Sequence, residues 1–309
     1  MADDDATRRR ALADARTVGA ALALADAWLR AAGVDETPGL DAQVLLGHIT
    51  GASRAATLAY PERALTAEQA TRYAGLVARR AAHEPVAYLV GHREFMGLDL
   101  LVDRRALIPR PETELLVEAA LRDLAERLAR NPDATPPLVA DIGTGSGAIP
   151  IALAAREPRL PRLYATDLSP DALALAQENA QRQGVAARIT FLQGDLLAPL
   201  PAPVDLLTAN LPYVAPDDPA VPPSVSRYEP ALALYGAADD LGAGLGHIRR
   251  LLEQAPAWLR PGASLYLEFG YDQRAAVERL AREAFPGANL RVGADYAGWE
   301  RYAEIRMQG

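Results

Sequence analysis

Asp141-Ile142-Gly143-Thr144-Gly145-Ser146-Gly147-Ala148 joins an apolar run at 138–142 to a helical pattern at 148–156. Glycines at a strand-to-helix turn let the backbone bend tightly and approach a ligand with no Cβ in the way. Further strand-like runs follow at 162–166, 189–193, 204–209, 264–269, 291–292 and 301–307. Helical patterns separate them at 170–183, 245–259 and 273–285. This alternation predicts an α/β, Rossmann-like fold, a parallel sheet covered by helices on both faces. The last strand is expected to enter antiparallel.

Upstream, Pro109 and Pro111 punctuate the chain before a long helix over 112–130, and a Pro-rich loop spans 131–137. Residues 86–109 read as a linking β-hairpin, with Tyr88 to Gly91 and Phe95 to Val102 as its extended arms. Before it, 18–82 has helical periodicity, with Leu22, Leu29, Val44, Leu45, Leu46, Leu58, Leu65, Leu76 and Val77 as candidate core positions. Breaks at Gly33, Thr37-Pro38-Gly39, Gly51 and Tyr60-Pro61 divide it into four or five short helices, and Thr66-Ala67-Glu68-Gln69 has the form of a capping box. Residues 1–15 read as a charged, partly frayed lead-in. The expected organisation is a helical domain over 1–85, a hairpin linker over 86–109 and a larger domain over 110–309.

Composition removes whole chemistries. The 309 residues contain no Cys, so disulfides, thiolate nucleophiles and Cys-ligated metals are excluded. All 32 basic residues are Arg, which excludes Schiff-base catalysis and a P-loop lysine. The net charge of -8 opposes general affinity for nucleic acid. His48, His83, His92 and His247 are scattered without metal spacing, so no metal is expected. No long apolar run or secretory signal is present, and a cytoplasmic protein is expected.

The glycine string also satisfies the dinucleotide fingerprint through Gly143, Gly145 and Ala148, so a nicotinamide enzyme is one reading. Asp141 opposes it. A carboxylate two residues before the first glycine would repel a pyrophosphate at the helix N-terminus, but suits the ammonium and sulfonium of S-adenosylmethionine. Asp167 closes the second strand, where a carboxylate can take both ribose hydroxyls of either cofactor. Asp195 closes the third strand; it is a candidate for the adenine edge or for a turn cap, with Leu196 beside the ring.

Asn210-Leu211-Pro212-Tyr213 follows the fourth strand, on the carboxyl edge where open α/β sheets bind ligands. An amide or aromatic amine nitrogen is a poor nucleophile because its lone pair is delocalised. Acceptors aimed at its hydrogens hold it toward a methyl donor and favour the polarised transition state. The Asn210 side-chain oxygen and the Leu211 carbonyl are such acceptors. Pro212 stiffens the turn, and Tyr213 offers a flat face to a planar group. A plain proline turn after a buried strand is the competing structural reading.

With these loops the chain resembles the release-factor glutamine methyltransferases (PrmC, also called HemK) from about residue 18 to 307. The resemblance extends through Glu84-Pro85-Val86-Ala87-Tyr88, Gly91-His92-Arg93-Glu94-Phe95 and Ile108-Pro109-Arg110-Pro111-Glu112-Thr113-Glu114. It continues in Tyr228-Glu229-Pro230-Ala231-Leu232 and Glu268-Phe269-Gly270-Tyr271-Asp272. It implies a class I methyltransferase sheet, a helical N-terminal domain that recognises release factors, and S-adenosylmethionine as cofactor. The implied reaction is N5-methylation of the glutamine in the Gly-Gly-Gln loop of class-1 peptide chain release factors, with no nucleic acid or membrane required. Carried over, Gly143, Thr144, Gly145, Ser146 and Gly147 line the cofactor with Asp141, Asp167, Asp195, Leu196 and Asn210; Asn210, Leu211, Pro212 and Tyr213 hold the glutamine. Two positions depart from the family pattern. Leu211 stands where a second proline is usual, as in the loop of adenine-N6 methyltransferases, and Leu196 stands where an aromatic residue is usual. Glutamine methylation of a ribosomal protein, adenine methylation of nucleic acid and a non-catalytic binding module are the alternatives. Arg110-Pro111-Glu112-Thr113, where the ribosomal-protein enzymes carry Ser-Pro, favours the release-factor reading.

Overall fold

The computed structural model describes residues 2–34, 36–130, 135–216, 218–235 and 244–308, with the side chains of residues 2 and 3 left aside. The chain divides into two compact units, Met1–Gly91 with Pro222–Tyr228, and His92–Val221 with Glu229–Gly309.

The first unit is helical: α1 (Ala2–Ala13), α2 (Val18–Ala31), α3 (Pro38–Thr50), α4 (Arg54–Ala59), α5 (Ala67–Ala81) and α6 (Val86–Val90). The Thr66 hydroxyl accepts from the Gln69 amide, and the Gln69 side chain accepts from the Thr66 amide. This reciprocal cap satisfies two donors that the start of α5 would otherwise leave unpaired. Leu12, Leu29, Leu45, Leu46, Tyr73 and Val77 form the core. Of the other expected core positions, Leu65 is buried, Leu22, Val44 and Leu76 are half-buried and Leu58 is exposed.

Two expectations for this unit need correcting. The lead-in is a helix, not a frayed tail: Leu12 is fully buried, Arg8 pairs with Asp4 one turn away, and Asp5 accepts from the Trp28 indole. The segment expected as the first hairpin arm is α6, a single turn closed by Gly91 in the left-handed region. A five-residue apolar run is ambiguous between strand and helix, and here Tyr88 and Leu89 are buried from a helical turn.

In the second unit a two-stranded hairpin, β1 (His92–Phe95) and β2 (Leu98–Leu101), precedes α7 (Pro111–Arg130). Of the Pro-rich loop at 131–137, residues 131–134 lie outside the described residues. Then come β3 (Val139–Ile142), α8 (Ala148–Arg156), β4 (Leu163–Asp167), α9 (Pro170–Arg182), β5 (Ile189–Gln193) and β6 (Val204–Ala209). The short helix α10 (Pro223–Ser226) belongs to the first unit. The second unit continues with α11 (Ala231–Tyr235), α12 (Gly246–Gln254), β7 (Leu259–Glu268), α13 (Arg274–Ala284), β8 (Asn289–Ala294) and β9 (Glu300–Arg306).

The seven strands are ordered β5-β4-β3-β6-β7-β9-β8. The first five run parallel; β9 is antiparallel to both β7 and β8. This is the expected α/β architecture, with the antiparallel final strand. The helical pattern at 245–259 ends early: α12 stops at Gln254, Pro256 sits in a single 3-10 turn, and Leu259 already opens β7. A proline cannot continue an α-helical ladder, and the strand gains residues 259–263. Two apolar layers enclose the sheet, one rich in β6, β7 and α12 side chains, the other in α7 and α8 side chains.

The chain leaves β3 toward β4 and β5, then returns to β6 on the other side of β3. Adjacent β3 and β6 therefore end with loops that diverge, which opens a crevice at the carboxyl edge.

Candidate active site

That crevice holds a cavity lined by Gly143, Thr144, Gly145, Ser146, Asp167, Asp195, Leu196, Asn210, Leu211 and Pro212, all of them among the residues expected to bind cofactor or substrate. Ala106, Leu107, Thr113, Leu168 and His247 add to its wall and carried no assignment from the sequence.

The Asp167 carboxylate ties the glycine loop to the end of β4. Asp167 Oδ2 accepts from the Gly145 amide at 2.8 Å, and Oδ1 accepts from the Ser169 amide at 2.9 Å. Burial raises the Asp167 pKa, against the lowering effect of these backbone amides. A carboxylate oxygen can accept more than one bond, so both remain able to take ligand hydroxyls.

Asp141, expected to bind the cofactor, is fully buried at the end of β3 and, like Gly147 and Tyr213, is not part of the cavity wall. Its Oδ1 accepts from the Thr208 hydroxyl at 2.7 Å; the Thr144 hydroxyl stands near enough to stabilise the carboxylate, but it and Oδ2 both fall short of full hydrogen-bond geometry among the described residues. Burial pushes its pKa up to about 7; the Thr144 and Thr208 hydroxyls oppose the rise and nearby Asp167 adds to it. A buried carboxylate with an unmatched oxygen is costly alone, and a cation brought against it relieves the cost.

The glycines divide into two roles. Gly143, Gly145 and Gly147 all have positive φ. A Cβ on Gly143 would lie 2.8 Å from the Leu211 side chain, so this glycine lets the β6 loop pack against the β3 loop. A Cβ on Gly147 would meet Ile151 at 2.9 Å and Ala176 at 3.0 Å. Gly147 does not line the cavity. Its requirement is close packing of α8 on α9, where the sequence reading had it lining the cofactor.

Leu196 has φ of 47°, a conformation unusual for a branched side chain, and its carbonyl accepts from the Thr166 hydroxyl at 3.0 Å. Asp195 lines the cavity, yet its carboxylate is ion-paired with Arg250.

The β6 loop is held by a network. Asn210 Nδ2 donates to Thr113 Oγ1 at 3.1 Å; Thr113 donates to Glu268 Oε2 at 2.6 Å; the Tyr213 hydroxyl donates to Glu268 Oε1 at 3.1 Å. Gln273 adds a bond to the Tyr213 carbonyl at 2.9 Å. Glu268 is buried, and burial pushes its pKa up to about 7, with the Thr113 and Tyr213 hydroxyls opposing. Tyr213 is thereby pinned behind the loop and is not part of the cavity wall. An ion pair between half-buried Arg110 and buried Glu229, at 2.6 Å, braces the segment before α7, and Glu229 also accepts from the Ile108 amide.

Residues 20–91 match the family model described as PrmC N-terminal domain, and residues 139–227 match one described as Methyltransferase domain. The release factor glutamine methyltransferase of Moorella thermoacetica is 48% identical over 273 residues, covering 88% of this chain and 92% of the relative. The chain belongs to the release factor glutamine methyltransferase family. The relative from Burkholderia pseudomallei is 40% identical over 91% of this chain and 95% of its own length, and that from Deinococcus radiodurans 39% over 93% and 98%.

Within this methyltransferase fold, Thr113 and Glu268 are functional candidates that appear in the family motifs but were given no role from the sequence. The available signal was a carboxylate at Glu268 ending the mostly apolar run Leu265 to Leu267 of a central strand, at the edge where ligands bind. Among the described residues no cluster of His, Asp or Glu is arranged to hold a metal ion, and no helix is long and apolar enough to cross a membrane.

Proposed function

We propose that this chain transfers the methyl group of S-adenosylmethionine to the N5 nitrogen of the glutamine in the Gly-Gly-Gln loop of class-1 release factors, in the cytoplasm. What supports the donor is the cavity walled by Thr144, Gly145, Ser146 and Asp167, together with the unmatched Oδ2 of Asp141, which is buried off the cavity wall two residues before Gly143. A cationic methionine end fits there, and an anionic pyrophosphate does not. Asp167 would take the ribose hydroxyls, and Leu196 with Leu168 would flank the base. Asp195, neutralised by Arg250, is better suited to a polar edge contact than to meeting a charge.

Bound there, S-adenosylmethionine supplies a methyl group on positively charged sulfur, open to in-line displacement. The residues of the β6 loop do the rest. Asn210 Oδ1 and the Leu211 carbonyl accept from the two hydrogens of the substrate amide and tilt its nitrogen toward the donor. As the N–C bond forms the S–C bond would break to leave a neutral thioether, and one N–H proton would pass to solvent. Leu211 keeps the carbonyl that a proline would offer, and its side chain packs on Gly143. The helical unit serves recognition of the release factor, apart from the chemistry.

Adenine methylation remains the reading favoured by Leu211 alone. Incubation with purified release factor, ribosomal protein and RNA, with labelled S-adenosylmethionine, separates the cases. The expected product is release factor carrying one methyl group on the Gly-Gly-Gln glutamine, located by peptide mass spectrometry. Label confined to nucleic acid or ribosomal protein would overturn the assignment.

A further inference from the structure

An amide side chain presents an acceptor at one end and donors at the other, and only its hydrogen-bond partners decide which end faces a ligand. For Asn210 the deciding partner is Thr113, itself bonded to Glu268. We infer that Glu268 and Thr113 are positioning residues, forming a relay that orients the Asn210 amide so that Oδ1 faces the substrate nitrogen. This rests on the reading of Asn210 as the group that holds the glutamine.

An ionised carboxylate can only accept, so the single hydrogen of the Thr113 hydroxyl is committed to Glu268 Oε2. The Thr113 oxygen can then only accept from Asn210, which fixes Nδ2 toward Thr113 and leaves Oδ1, unbonded by any described residue, for the substrate. Tyr213 holds the other oxygen of Glu268, so the carboxylate cannot swing away. Protonation reverses the chain. A protonated Glu268 donates to Thr113, the hydroxyl hydrogen turns to Asn210, and the flipped amide is favoured. Its NH2 would then face the hydrogens of the substrate amide and oppose binding in the reactive pose.

The charged and titratable groups around Glu268 are Glu112 on α7, which raises its pKa, Arg301 on β9, which lowers it, and Tyr213. Desolvation outweighs them and brings the titration to about 7. Asp141 titrates in the same range, but a bound cation holds it ionised, so at saturating cofactor the acid limb of kcat belongs to Glu268.

The test measures kcat on intact release factor at saturating cofactor from pH 5.5 to 8.5 for the wild type, Thr113→Val, Thr113→Ser and Asn210→Ala. Wild type and Thr113→Ser should lose about tenfold in rate per pH unit below the titration of Glu268. Thr113→Val should be slower by about tenfold at pH 8, the size of one lost oriented bond, and should show no acid limb. Its affinity for S-adenosylmethionine should be unchanged by calorimetry. In the cofactor-free protein, the side-chain amide NMR signals of Asn210 should shift with the same titration in the wild type and stop doing so in Thr113→Val. A Thr113→Val enzyme with wild-type rate, or one that is slow but keeps the acid limb, overturns the relay. If Asn210→Ala itself retains full turnover, the assignment of Asn210 fails first; if only Asn210→Ala is slow, the relay alone is wrong.

Discussion

The Gly145 amide and the Asp167 carboxylate lie 2.8 Å apart, joining the glycine loop after β3 to the end of β4. One side chain thus holds the loop closed and faces the cavity, so its loss should be felt first by the cofactor. Asp167→Ala is expected to weaken S-adenosylmethionine binding by on the order of 2–3 kcal/mol, the worth of a pair of charge-assisted hydrogen bonds. Titration calorimetry on the folded variant checks this; unchanged affinity would remove Asp167 from the cofactor site.

Asp141 makes both stability and affinity depend on pH, with opposite signs. Its carboxyl keeps a proton up to about pH 7 when folded but releases it near 3.8 when unfolded. The folded state is therefore favoured at acid pH, loses that advantage as pH rises through this window, and changes no further above it. Asp141→Asn should accordingly gain melting temperature over the wild type as pH rises from 5 to 8. A cationic ligand prefers the ionised form, so wild-type affinity should strengthen from pH 6 to 7.5, with proton release visible as a buffer-dependent heat of binding. A flat affinity profile would show that the cation does not sit against Asp141.

Gly147 separates packing from binding. Gly147→Ala places a methyl group 2.9 Å from Ile151 and 3.0 Å from Ala176 at a φ of 80°. Overpacking and the left-handed backbone together should cost about 2–4 kcal/mol of stability. Chemical denaturation reads that cost directly, and cofactor affinity of the folded fraction should stay near wild type. A stable variant that binds poorly would return Gly147 to the ligand site.

The helical unit exposes Leu58 in the last turn of α4 and Tyr60 just beyond its end. If this unit recognises the release factor, the double variant Leu58→Asp, Tyr60→Asp should lower kcat/KM on the intact factor by about tenfold, the size of one interface hot spot. A short peptide bearing the Gly-Gly-Gln sequence should be methylated at the wild-type rate. Equal losses on both substrates would tie this surface to the chemistry instead.

What could be read from the sequence follows from how far apart the interacting residues lie. The glycine loop, the parallel strands and the capping box at Thr66 are local patterns with a fixed period or spacing, and each is found in the structure. The helix α1 was obscured because Asp4, Asp5 and Arg8 to Arg10 mask the single buried Leu12 that anchors it. Each member of the Asn210–Thr113–Glu268 network sits in a motif of its own, but no local pattern links the three. Their bonds span 97 and 155 positions, and only the packing of α7 beside the carboxyl edge brings them together.

Asn210 should be the residue on which turnover depends most. The chain has neither Cys nor Lys to form a covalent intermediate, so the rate rests on holding a weak nucleophile in line with its donor. Loss of a preorganised hydrogen-bonding group at a reacting centre costs about 10²–10³ in rate, by analogy with oxyanion-hole donors. Asn210→Ala should therefore bind S-adenosylmethionine normally and methylate release factor 10²–10³ times more slowly, on the same order. Asn210→Asp should also be slow, because a carboxylate cannot donate to Thr113 and sets a second negative charge near Glu268. If Asn210 only stabilises the turn after β6, its loss should lower the melting temperature and reduce turnover only in proportion to the unfolded fraction. Single-turnover rate and thermal unfolding, measured on one Asn210→Ala sample, distinguish the two. A destabilised but fully active enzyme would show that the amide is held without Asn210, and the Leu211 carbonyl would become the acceptor to test next.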